Sequence, residues 1–353
     1  MSIPSSSAAL ARREFVTLFT GIVSGLTLPG LSAGFAYSDD TISGSVSLDE
    51  SYLEKGLTGM ARSQGWFNAH LGAAVLAGYY LCKENNLSDA TVVGIKKQLD
   101  TLIDIHSKQF ESFPKFKADE KLIEKVPTSL QPAVEGGLRA HGHAVIYTAL
   151  AVRALRDVPH MAGPQLINLL CSHNGVIAKK TPVAPQEPVD YPHSQAMIEA
   201  LFDSLARFEP LLGRPSVRRP NFTHMTTHTE ALMTLESLGY RELAKVGQLG
   251  QQAHIAEPVP EFDPAKHPLD EHRVTLHDVM SKEFWESEQN VRWWNQTWSV
   301  DQNPNGYWVA FGHLFKVLYS YHRVVKHIED EGKVRLCSQV LLERYVNPNV
   351  QGG

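Results

Sequence analysis

The 353-residue sequence predicts an all-α fold, a single domain of repeated helical hairpins. Three observations carry that prediction. Apolar residues recur at spacings of three and four through most of the chain, no run alternates apolar and polar residues as a half-buried strand does, and no Asn-Gly pair sits between two such runs. In order, the helical periods fall on residues 71–81 (LGAAVLAGYYL), 91–110, 144–155 (AVIYTALAVRAL), 194–208, 230–249 and 313–328. Each gives a helix an apolar stripe, and burying these stripes against one another builds the core.

With 43% apolar and 20% charged residues the chain has the balance of a soluble globular protein. A formal net charge of −5 supplies no broad basic field, which argues against nucleic acid as a partner. The basic run at 214–220 (RPSVRRP) is short, broken by prolines, and reads as a loop. Cys82, Cys171 and Cys337 lie far apart without a CxxC pair, so they read as small buried hydrophobes and not as a zinc site or disulfide framework.

The N-terminal stretch ARREFVTLFTGIVSGLTLPGLSAGFA (11–36) sets Arg12 and Arg13 before a glycine-diluted apolar run that ends in small residues. That pattern resembles a Tat-type export signal over residues 1–36, which would leave 37–353 as the helical domain, exported already folded. Without a functional signal the expected location is cytoplasmic. No other segment is apolar for long enough to span a bilayer. Two proline-rich interruptions, 181–192 and 256–272, are too long for tight helix connections and are expected to cross the surface or cover an opening.

Four helical segments begin with a histidine followed by a small or apolar run: His70, His143, His224 and His313, separated by 73, 81 and 89 residues. That spacing leaves room for a helix out, a turn and a helix back, so each repeat can aim one imidazole at a common centre. His228, one turn beyond His224, shares its face and is the rival for that place. His141 falls on a different face from His143, and the other histidines, His254 among them, read as structural or surface residues.

Neutral imidazoles converging inside a protein make a site for a metal such as iron, copper, zinc or nickel. They bring no negative charge, and burying a divalent ion uncompensated costs several kcal/mol. Lys316 lies three residues after His313 and so shares its face. As an ammonium it would repel the ion, but desolvation favours the neutral amine, which reacts with carbon dioxide to give an anionic carbamate. One helical turn would then present a nitrogen and an oxygen ligand together.

These blocks resemble the questin oxidase-like family, in which motifs of the form NHxxxA, HGxIxTAxAxRAL, FxHxxT and HxxK follow in that order. Here they stand as FNAHLGAA (67–74), HAVIYTALAVRAL (143–155), FTHMTT (222–227) and HLFK (313–316). The resemblance implies mononuclear Fe(II) held by His70, His143, His224, His313 and a carboxylated Lys316, with His313 and Lys316 central to catalysis. The FxHxxT block favours His224 over His228. It further implies a non-haem iron oxygenase, an oxidoreductase using dioxygen on an aromatic or polyketide-like small molecule, with oxidative C–C ring cleavage as a family reaction. The chain departs from the pattern at Ala69, between Asn68 and His70, at Ala144, and at Tyr147 and Leu150, where Arg and a second His are often seen. Those positions would line the pocket beside the metal.

Trp66, Phe67, Tyr147, Phe222, Trp308 and Tyr319 lie close in sequence to the proposed ligands and are the candidate aromatic walls of a substrate pocket. Two other classes compete: a non-catalytic helical-repeat binding protein with core histidines, and a zinc hydrolase using the same cluster. A haem protein ranks below both, since no CxxCH is present and Lys316 would have no purpose.

Overall fold

The computed structural model describes residues 46–218, 220–270 and 312–346. The export-signal reading of 1–36, Trp308 and the aromatic stretch around it therefore lie outside the described residues. Within them the chain folds as helices α1 (Ser51–Ala61), α2 (His70–Glu84), α3 (Asp89–Ile105), α4 (Lys125–Val134), α5 (His143–Asp157), α6 (Pro164–Ala178), α7 (Ser194–Ala206), α8 (Phe222–Ser237), α9 (Arg241–Ile255), α10 (His313–Val324) and α11 (Glu331–Leu341), with a single helical turn, Gly65–Asn68, before α2. No strand occurs among the described residues; one isolated antiparallel bridge joins Leu138 and Val183. None of the described helices is long and apolar enough to cross a membrane.

Four helices form the centre. α2 packs on α5 and α10, and α8 closes the ring by packing on both α5 and α10. Their inner faces are nearly continuous apolar surface: every residue of α2 from His70 to Leu81 is buried, as is every residue of α5 from His143 to Val152. The small residues of α2 permit this density. Gly72 lies so close to α1 that an added Cβ would meet the Met60 backbone nitrogen at 2.2 Å.

The sequence periods find these helices but misjudge some ends. The period over 230–249 spans two helices, because Gly239 adopts φ +98° and turns the chain between α8 and α9. The proline-rich segment 181–192 is a pinned strap. Leu138 and Val183 exchange backbone hydrogen bonds at 2.8 Å, and Gln252 on α9 accepts from the Val189 amide at 2.8 Å and donates to its carbonyl at 2.6 Å. In the second proline-rich segment, Asp270 donates its amide to the Gly213 carbonyl at 2.6 Å.

Candidate metal centre

His70, His143 and His313 are the first residues of α2, α5 and α10, and His224 is the third residue of α8. The ring of four helices therefore turns four N-termini toward one point. There the donor atoms of His70, His143, His224 and His313 all lie within 4.8 Å of one another, a group able to hold a metal ion. The Nε2 atom of His143 is 3.0 Å from that of His70 and 3.1 Å from that of His224.

The partners on the far side of the rings decide what those nitrogens can do. His143 Nδ1 donates to the Ala140 carbonyl, and His224 Nδ1 donates to Asn221 Oδ1 at 2.6 Å. A carbonyl oxygen only accepts, so both protons sit on Nδ1 and both Nε2 atoms are bare lone pairs. Two lone pairs facing each other at 3.1 Å repel unless a cation lies between them.

Local structure is built to deliver these contacts. Before α5, Ala140 and His141 take φ values of 45° and 53°, and Gly142 follows at 76°. Left-handed backbone costs a non-glycine residue roughly 1–2 kcal/mol, and here it turns the Ala140 carbonyl back onto the His143 ring. The Leu138–Val183 bridge and the Arg139 Nε bond to the Lys180 carbonyl, 2.8 Å, fasten the turn to the strap. Before α10, Gly312 is also left-handed, φ 64°, and a Cβ there would lie 1.9 Å from the Ala74 Cβ.

The electrostatics are mostly positive, with Glu257 accepting from the Asn221 amide at the start of α8 at 3.0 Å. None of the four helices has a side-chain cap or an acidic residue in its first turn. Each N-terminus carries the equivalent of about half a positive charge. Burial, reinforced by the charge of Lys316, holds His70 and His143 well below the ordinary imidazole range. Burial and then the neighbouring His143 hold His224 down in the same way. Lys316 is only 4% exposed, and burial alone pulls its amine well below the usual lysine value. Among the described residues no carboxylate pairs with it.

His228 is kept away from the cluster. It is packed under the Ala140–Gly142 turn, where a Cβ on Gly142 would come within 2.7 Å of its Nδ1 and one on Gly250 within 2.8 Å of its Cε1. The candidate pocket aromatics divide. The rings of Trp66 and Phe67 sit 5.0 Å from His143 and 5.1 Å from His70 and border the centre. Tyr147 is buried against the centre, with its hydroxyl within hydrogen-bond reach of His70 Nδ1. Phe222 is fully buried against Phe208, centroids 4.9 Å apart, and Tyr319 belongs to an ion cluster further along the same helices. Both were placed by sequence proximity, which ignores helical phase.

Sequence reasoning missed the supporting residues Ala140 and Asn221; it placed His141 on another face from His143 and read His254 as structural or surface, and His254 is buried. The rings of His141 and His254 stack 5.1 and 6.0 Å from that of His224, although neither offers a donor to the four-histidine group. One signal was present: Gly-His immediately precedes the apolar run at both 142–143 and 312–313. No family model matches the chain, and no curated protein or solved structure matches it.

Proposed function

We propose that the chain is a non-haem iron-dependent oxygenase that uses dioxygen on an aromatic or polyketide-like small molecule, its iron held by His70, His143, His224, His313 and a carboxylated Lys316. The observation that carries this reading is the fixed tautomer of His143 and His224, which leaves bare nitrogens 3.1 Å apart in a buried place. The resemblance of the motif blocks to an iron-dependent family ranks the oxygenase above the zinc hydrolase. Core histidines of a binding protein would be expected to use those nitrogens on protein partners.

Lys316 completes the donor set. Its neutral amine attacks the carbon of carbon dioxide, forming an N–C bond and releasing one proton, and the carbamate so formed carries one negative charge. The four helix N-termini favour that anion, each by roughly 0.3–1 kcal/mol. When bound, the metal would supply dioxygen activation. The chain's own residues do the rest: Ala140 and Asn221 hold two rings in place, and Trp66 and Phe67 shield the centre and offer planar faces to an aromatic substrate. The resemblance of the four motif blocks to those of the questin oxidase-like family supports the reaction class, including oxidative ring opening. The twin-arginine leader extends the proposal to export of the folded, metal-loaded chain.

Metal analysis tests the reading. Protein produced with iron supplementation should contain about one equivalent of iron, removable by chelation. Lys316→Ala should lose iron affinity and activity, with partial rescue by formate or acetate, because the missing group is an oxygen anion on a tether. Full iron occupancy in that variant would remove lysine from the ligand set. His224→Ala should abolish binding and His228→Ala should not; the reverse order would exchange their roles.

A further inference from the structure

His70 differs from its two neighbours in what lies behind its ring. Ala140 and Asn221 present carbonyl oxygens, which can only accept, so the tautomers of His143 and His224 are the same with or without a metal. Behind His70 stands the hydroxyl of Tyr147, which can donate or accept. Tyr147 is four residues after His143 on α5, hence on the same face, 3% exposed, with its ring centroid 5.4 Å from that of His143 and 5.7 Å from that of His70.

Resting on the metal-centre reading above, we infer that Tyr147 is a positioning residue that makes His70 the one ligand of these three able to change tautomer, donating to Nδ1 in the metal-free protein and accepting from it when the centre is loaded. In the first arrangement the His70 Nε2–H donates across the 3.0 Å gap to the bare Nε2 of His143, which relieves one of the two lone-pair contacts. In the second the proton is on Nδ1 and Nε2 is free for the ion. The change moves one proton from Nε2 to Nδ1 of His70 by exchange with solvent, and the phenol keeps its own, so the imidazole and phenol hold the same number of protons in both states. A carbonyl behind His70 would satisfy only the loaded state. The hydroxyl satisfies both, so the metal-free centre stays ordered.

The test needs no turnover. Nitrogen-15 spectra of metal-free and Zn(II)-loaded protein, with zinc as a diamagnetic probe, report each imidazole tautomer. His143 and His224 should be protonated on Nδ1 in both samples, and His70 should move from Nε2–H to Nδ1–H. Tyr147→Phe should fold, keep the His143 and His224 signals, and bind Zn(II) roughly 10–100-fold more weakly, the usual cost of losing the partner behind a ligand. A His70 already protonated on Nδ1 without metal overturns the inference, as does zinc affinity in Tyr147→Phe within a factor of three of wild type. A wild-type chain that takes up neither zinc nor iron defeats the metal reading instead, and the metal-free His70 spectrum still tests the donor role of Tyr147.

Discussion

The four helices that carry the histidines also share a second polar cluster, and the two differ in how their charge is closed. Glu84 on α2, Arg153 on α5, Glu230 on α8 and Arg323 on α10 meet within the bundle, between roughly 9 and 21 Å further along each axis than the histidine of the same helix. Arg153 pairs with Glu84, and Arg323 reaches Glu84 at 3.1 Å and Glu230 at 3.0 Å. Tyr319 joins the halves, accepting from Arg153 Nη1 at 2.7 Å and donating to Glu230 at 3.0 Å. Two acids and two bases cancel, and the cluster is complete in itself. At the histidine end four imidazoles and a buried lysine meet at four helix N-termini without side-chain caps, and the acid found there, Glu257, accepts from the Asn221 amide at 3.0 Å and pairs with none of them among the described residues. A polar cluster that closes its own charge holds a fold together; one whose donors converge without closing theirs is a candidate site.

Deletion at each end should break or sharpen this contrast, and the largest effect falls at the closed end. Glu230→Ala leaves Arg323 and the Tyr319 hydroxyl without their buried partner and should cost roughly 3–5 kcal/mol of stability, read by urea denaturation of the metal-free protein. His143→Ala removes one side of the His143–His224 lone-pair repulsion together with the acceptor for His70, effects of opposite sign, so the metal-free variant should lose much less stability than Glu230→Ala, while metal binding disappears. Equal destabilisation by the two substitutions would mean that the histidines serve the core.

Acid should separate the ends by a smaller amount. Burial pushes His228, beside the centre, and His322, on α10, down to about 3. These folded-state values lie below the ordinary 6.5, so between the two values the unfolded chain binds more protons. Their contribution to stability is complete above about pH 6.5 and is lost as the pH falls toward 3, at roughly 1.4 kcal/mol per pH unit for each residue. Denaturation midpoints from pH 7 to pH 5 should fall, and His322→Leu should flatten that slope by the share of one imidazole. Metal-loaded protein should lose stability more steeply over the same range, because protons compete with the ion for nitrogen.

How legible each end was in the sequence follows from the range of its interactions. The all-α class and the helices of the histidine cluster were readable because apolar period is local, and each histidine of the cluster marks a helix start that recurs in context. The ion cluster was not, since Glu84 and Arg323 lie 239 residues apart and no spacing rule joins them. Tyr319 was misplaced for the same reason: six residues beyond His313 it is nearly two turns away, where it serves the closed end. Helices α1, α4, α6 and α11 escaped the periodic reading. α4 carries Pro132, and in α6 polar His173 and Asn174 fill buried positions while apolar Val176 is exposed.

The smallest expected effect concerns the turn that aims the Ala140 carbonyl. Among the described residues Ala140 and His141 are the only non-glycines with positive φ, and both stand at the open end. Strain of roughly 1–3 kcal/mol per residue persists where the surroundings enforce it and the geometry is used. Ala140→Gly relieves that strain but adds freedom to the unfolded chain worth about 0.4–1 kcal/mol, so the metal-free variant should gain about 1 kcal/mol, and no more than about 2.5 kcal/mol. A glycine there also has more freedom to turn its carbonyl away from His143, so the tautomer lock loosens and zinc affinity should fall several-fold. Rising stability with falling affinity, measured on one variant, would show that the backbone is held against its preference for the sake of the ligand. A variant that gains stability and binds zinc as tightly as wild type would show that the left-handed turn serves the chain reversal alone, and that the Nδ1 proton of His143 needs no strained carbonyl to hold it.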